Sequence, residues 1–196
     1  MKMFFSMLLI AVSMQVSAQS PQFGVKAGVQ ADFLSAYYSK DQKIEMSKTG
    51  MHLGGVMQLS LSKTGMLQTG LQLTTKGGSA GGRTVRIFAL ELPVNFLFVH
   101  EGFFIGGGPA LSYGLTGKVT KGENGEEALN VYDKKSFVHL KRFDLQLNVQ
   151  MGYKLSGNWQ VSAFMNNGML NLSGHESEPS YTNRLKSIGL SAGYFF

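Results

Sequence analysis

Cysteine is absent from the 196 residues. That excludes a disulfide framework, a Cys-built zinc site and a thiol nucleophile. Charge is also scarce: Asp, Glu, Lys and Arg make up 15% of the chain, where an average soluble domain carries roughly a quarter. Only 4 residues are proline. No apolar run reaches the ~20 residues that a membrane-crossing helix requires. Disorder is excluded by a hydrophobic content of 43%, and the 25 glycines follow no Gly-X-Y period, which excludes collagen. The length suits one domain.

What is present begins with a leader. Lys2 supplies a positive charge, residues 4–14 (FFSMLLIAVSM) a short apolar stretch, and Val16-Ser17-Ala18 a small-residue end. Residues 1–18 therefore read as a secretory signal peptide cleaved before Gln19, with 19–196 as the mature domain. The formal charge of +6 would suit nucleic acid, but a secretory address removes that partner.

The mature chain alternates with period two, the spacing that sends successive side chains to opposite faces of a strand. Phe23, Val25, Ala27, Val29, Ala31 and Phe33 form the first apolar series, and Met51, Leu53, Gly55, Met57, Leu59 and Leu61 the second. Further series start at Leu67, Leu90, Phe103, Phe143, Trp159 and Ile188. Eight strands are expected. Tight turns at Ser62–Gly65, His100–Gly102 and Ser156–Asn158 take turns with longer polar segments at 34–49, 76–83, 116–140 and 172–184. Short and long connections in alternation point to an up-and-down antiparallel barrel with both termini on the short-turn side.

A soluble barrel would give the same alternation, so the character of the polar face decides. That face is mostly Gly, Gln, Asn, Ser and Thr, which fill a narrow lumen without burying many charges. Aromatic residues sort by height. Phe23, Phe96, Phe98, Phe103, Tyr153, Trp159, Tyr194 and Phe196 lie beside short turns or termini, and Phe33, Phe88, Tyr113 and Phe143 near the long connections. Two girdles around an aliphatic band are what a bilayer selects. The expected fold class is an all-β, eight-stranded antiparallel transmembrane barrel in the outer membrane of a Gram-negative cell.

Leu67-Gln68-Thr69-Gly70-Leu71, Leu90-Glu91-Leu92-Pro93, Gly107-Gly108-Pro109 and the closing Gly189–Phe196 segment together resemble outer-membrane barrels of the PorT-like type. The resemblance implies an envelope barrel, and in some members a part in protein secretion or gliding motility. The terminal Phe196 is similar to the signal read by the barrel-assembly machinery. No site residue transfers by this route.

Candidate chemistry is sparse. Gly77–Gly82 resembles a phosphate cradle, but no Lys-Ser or Lys-Thr follows it, and a hairpin tip is the better reading. His52, His100, His139 and His175 stand singly, without metal-ligand spacing. Asp133, His139 and His175 fall in long connections where a rim enzyme would place them, yet no nucleophile, base and orienting group come together in sequence. No catalytic, cofactor or metal residue is assigned.

The lumen should be filled. Lys26, Gln30, Gln58, Gln72, Glu91, Asn95, Gln146, Asn148 and Gln150 point inward if the apolar face meets lipid, and Glu91 should find a cationic partner, with Lys26 the leading candidate. Pro93 and Pro109 each lack an N–H donor and should open a bulge or gap; a turn centred between His100 and Glu101 would make them cross-strand neighbours. Apart from Lys63, Lys154 and Lys26, the basic residues of the mature chain fall in or beside the long connections, where outer-membrane lipid, lipopolysaccharide included, offers phosphates. The expected role is non-enzymatic, structural or interactive, with the external loops as contact surface for an envelope protein. A narrow channel or a rim enzyme acting on lipid or peptide are the rivals.

Overall fold

The computed structural model describes residues 20–39, 42–121, 127–133, 139–173 and 182–196. Residues 1–18, expected as a signal peptide, and His175 lie outside these. Nine strands follow in order: β1 (Gln22–Ser39), β2 (Gln42–Ser60), β3 (Gly65–Ala80), β4 (Arg83–His100), β5 (Phe103–Lys121), β6 (Glu127–Asn130), β7 (Phe143–Lys154), β8 (Trp159–Gly168) and β9 (Thr182–Phe195). All pairings are antiparallel, and β4 pairs with β5 to close the ring β4-β3-β2-β1-β9-β8-β7-β5. The short β6 adds only to the outer stretch of β5. The barrel therefore has eight strands. Its closure leaves no edge unpaired in the wall, the condition a strand must meet in lipid.

Parity along each strand sets the two faces. Val29, Leu53, Leu73 and Leu190 point outward and are more than half exposed, while Gln58, Gln68, Glu91, Gln146 and Gln150 are buried inside. An apolar exterior around a polar interior inverts the order of a soluble barrel, and the exterior matches a bilayer. Both aromatic girdles stand on the outer face. In the lower one, Trp159 is paired with Tyr194 across β8 and β9, with ring centroids 5.2 Å apart.

The wall rises higher than the sequence suggests. About 9–11 residues per strand cross a bilayer, yet β1 to β5 have 16–19. The segments 34–49 and 76–83, expected as long loops, are mostly strand: β1 runs to Ser39, β2 starts at Gln42, and β3 reaches Ala80. Above the lipid the outward face of each strand meets water, so the outward apolar series ends while backbone pairing continues, and inward residues such as Leu34 and Met46 stay buried. Gly81 (φ 56°) and Gly82 (φ 73°) then make the β3–β4 turn, a two-residue reversal that needs positive φ at both positions.

The proline seam differs from expectation in register. His100 pairs with Phe103, so the turn consists of Glu101 and Gly102, and Pro93 faces Ala110 rather than Gly108. The two prolines are not directly opposed. Instead each opens a separate gap. The β3–β4 ladder passes from Thr69–Val94 to Gln72–Glu91, omitting Gly70, Leu71, Leu92 and Pro93. The β4–β5 ladder passes from Pro93–Ala110 to Phe96–Gly107, omitting Val94, Asn95, Gly108 and Pro109. Register is kept across both, so these are gaps and not bulges. The bulge of this seam lies higher, between Phe88 and Ala89 on β4 and Gly114 and Thr116 on β5.

Candidate functional site

The interior is built in three layers. At the short-turn end Met66, Leu97 and Phe104 pack into an apolar floor, with Val99 against it. Above it lies a polar layer in which side chains bridge strands. Gln58 donates to Gln160 at 2.6 Å and Gln150 to Gln68 at 2.6 Å, while Asn148 bonds Asn166. His52 meets Ser191 at 3.0 Å and stacks edge-on to Phe164. Gln30 and Ser187 both donate to Asp32, at 2.7 and 2.6 Å. The lumen residues expected from sequence are buried or half-buried in this layer.

Glu91 has a different partner from the one expected. Its carboxylate is in an ion pair with Lys76, both buried, and accepts a bond from Gln72 at 3.2 Å. Lys76 also donates to Gln146 at 3.0 Å, and Gln146 to Asp144 at 2.9 Å. Lys26 instead donates to Gln150 at 3.1 Å. Lys76 was expected on a loop; because β3 continues past it, it becomes an inward strand residue. Asp32, His52 and Asp144 join the lumen by the same parity rule, although the sequence reading had not selected them.

The third layer caps the outer mouth, and the sequence reading missed it. Val131, Leu140 and Leu172, from the connections after β6 and β8, pack on the inward-facing Leu34, Met46, Val85, Ile87, Ala89 and Leu185. Glycines make room for the cap. A Cβ on Gly117 would lie 2.2 Å from a methyl of Val131, and one on Gly114 would lie 1.8 Å from the Tyr132 hydroxyl. Arg142 then locks the seam, donating to the carbonyls of Gly114 and Leu115, 2.9 Å each, with its guanidinium 4.2 Å from the Tyr132 ring centroid. These carbonyls sit at the β4–β5 bulge. Burial pushes the Tyr132 phenol up to about 12, against the opposing pull of Arg142.

Among the described residues, one interior void of about 20 Å³ is lined by Lys26, His52, Asn95 and Asn148, and another of about 20 Å³ by Lys76, Asp144 and Tyr132 under the cap. Each is the size of one water molecule. Among the described residues no group of three or more His, Asp or Glu could hold a metal ion. Asp133 is exposed in the turn after β6, and His139 is half-buried beside Leu140 of the cap.

No protein-family model matches the sequence, and none of the curated proteins matches it. Solved structures do. The attachment invasion locus protein Ail of Yersinia pestis, in complex with the heparin analogue sucrose octasulfate, superposes with a TM-score of 0.54 at 12% identity, covering 91% of this chain and 100% of Ail. Neisserial surface protein A gives a TM-score of 0.54 at 12% identity, with the same coverage of 91% and 100%. At that identity the likeness establishes the fold, the small outer-membrane β-barrel. It agrees with the lipid-facing exterior, which places the chain in the outer membrane.

Proposed function

We propose that this barrel is a non-enzymatic envelope protein that acts through its outward-projecting rim, not through its lumen. The observation that carries the reading is the filled interior: among the described residues an apolar floor, a cross-bridged polar layer and an apolar cap pack around voids of water size. A stable, blocked barrel is a scaffold. What it can offer a partner is the part above the lipid, where β1 to β5, β6 and the capped connections stand clear of the bilayer. The resemblance to PorT-like barrels makes protein secretion or gliding motility the processes in which such a contact surface would serve.

The decisive experiment is conductance in planar bilayers with the purified protein. No steady current above background is expected, and a stable open state would replace this reading with that of a narrow channel. The rim-enzyme alternative is checked separately with His139→Ala. Loss of a lipid- or peptide-cleaving activity in envelopes carrying that variant would favour it, and an unchanged product profile supports the scaffold.

A further inference from the structure

Above the upper aromatic girdle the outer wall carries cations in an arrangement that the fold alone does not favour. Arg86 on β4 stands directly opposite Lys118 on β5, and both are exposed. Like charges facing each other across antiparallel strands are destabilising. Arg86 is also close enough to Lys48 for the two charges to repel. On its other flank Arg86 faces Gly77, which offers no side chain. Among the described residues no hydrogen bond or ion pair engages the side chain of Arg86 or Lys118.

The height of the cluster matters as much as its sign. Phe88 lies two residues below Arg86 on the same outward face and is 48% exposed; Tyr113, on the neighbouring β5, is 49% exposed. With a rise of ~3.3 Å per residue, Arg86 stands about 7 Å above Phe88 along the strand. Aromatic girdles sit at the headgroup level of a bilayer, so Arg86 and Lys118 fall at the depth of the outer-leaflet phosphates. They point sideways into that leaflet, and the wall beneath them, Leu92, Leu111 and Leu115 included, is exposed and apolar.

We propose that Arg86 and Lys118 form a binding site for the phosphorylated headgroup of an outer-leaflet glycolipid whose acyl chains lie on the wall below Phe88 and Tyr113. An anion between the two cations removes their mutual repulsion, and charge-assisted hydrogen bonds to phosphate replace it. The sideways aim and continuity with the apolar wall select a lipid over a soluble polyanion.

The test is thermal unfolding of the folded protein in detergent, followed by its heat-dependent gel mobility, with bisphosphorylated lipid A, dephosphorylated lipid A or inorganic pyrophosphate added. Bisphosphorylated lipid A at saturation should raise the midpoint by about 5 °C or more, and the dephosphorylated form and pyrophosphate should not. The Arg86→Gln/Lys118→Gln variant should lose the shift while keeping the mobility of a folded barrel. The charge-preserving Arg86→Lys/Lys118→Arg exchange and the distant Lys63→Gln should keep it. An equal shift from dephosphorylated lipid, a shift from pyrophosphate alone, or a full shift in the double Gln variant would each overturn the proposal. None of these readings depends on whether the lumen conducts.

Discussion

Replacing Lys76 with methionine would strand the Glu91 carboxylate in a packed interior, where its remaining hydrogen-bond donor is the Gln72 amide. Removing one partner of a buried pair costs about 3–5 kcal/mol, whereas replacing both by apolar residues is often neutral. Lys76→Met should therefore lower the urea midpoint strongly, and Lys76→Met/Glu91→Leu should recover most of the loss. Lys26→Met, which removes a bond to a neutral amide and a cation–π contact with Phe164 but strands no charge, should cost less than Lys76→Met in the same titration. A second expectation concerns Tyr132. Its folded value of about 12 exceeds the ordinary 10 because burial opposes the phenolate. The cap contact is then intact below pH 10 and weakens as pH rises from 10 toward 12. Difference absorbance against Tyr132→Phe should show one phenol ionising near the upper end of that window, and the Phe variant should lack the alkaline weakening of the cap. Ionisation of Tyr132 with the ordinary tyrosines would contradict its burial.

At the scale of elements, the cap depends on two glycines of β5 and one arginine preceding β7. Gly117→Val would place methyl groups where Val131 already packs, so the connection from β6 to β7 should lift while the lipid-embedded part of the wall persists. Limited proteolysis should then cut between residues 121 and 142 at rates far above wild type, with the heat-dependent mobility of the barrel retained. Arg142→Ala removes two hydrogen bonds to backbone carbonyls and the ring contact, a loss of about 2 kcal/mol, and should give a milder version of the same cleavage. Shortening the 116–140 connection is consequently not neutral to the interior, because Val131 and Leu140 are part of the mouth's apolar packing. The proline gaps belong to this scale too. Thr69 donates its hydroxyl to the Pro93 carbonyl at 2.9 Å, a side-chain bond in the stretch that the ladder leaves open.

For the whole molecule, closure is the property from which the others follow. A ring of eight strands with every wall strand paired on both sides should resist SDS until heated. Its interior, closed at both ends, should conduct only after the cap is made polar. Val131→Asp/Leu140→Asp tests this: current through that variant but not through wild type would assign the block to the cap, and silence in both would assign it to the polar layer. Phe196 is 75% exposed, while its N–H bonds the Phe23 carbonyl at 2.9 Å. Deleting it removes one backbone bond near the seam between the termini, so a large fall in assembled protein relative to a Lys63→Gln control would point to recognition of that end during assembly.

The sequence by itself determined the barrel and the filling of its lumen. Period-two alternation is local, so parity alone assigned Gln30, Gln58, Glu91, Asn95, Gln146, Asn148 and Gln150 to one face, and the uncharged character of that face chose the inside. Tertiary structure decided what parity cannot reach. Lys76 lies where the outward apolar series has ended, because strand above the lipid needs no apolar outer face, so its inward aim and its pairing with Glu91 emerge only once β3 is extended and aligned with β4. The proline seam turned on two residues of register at the Glu101-Gly102 turn. The cap joins residues from three parts of the chain through steric fits at Gly114 and Gly117, and such complementarity exists only when the strands are closed around it.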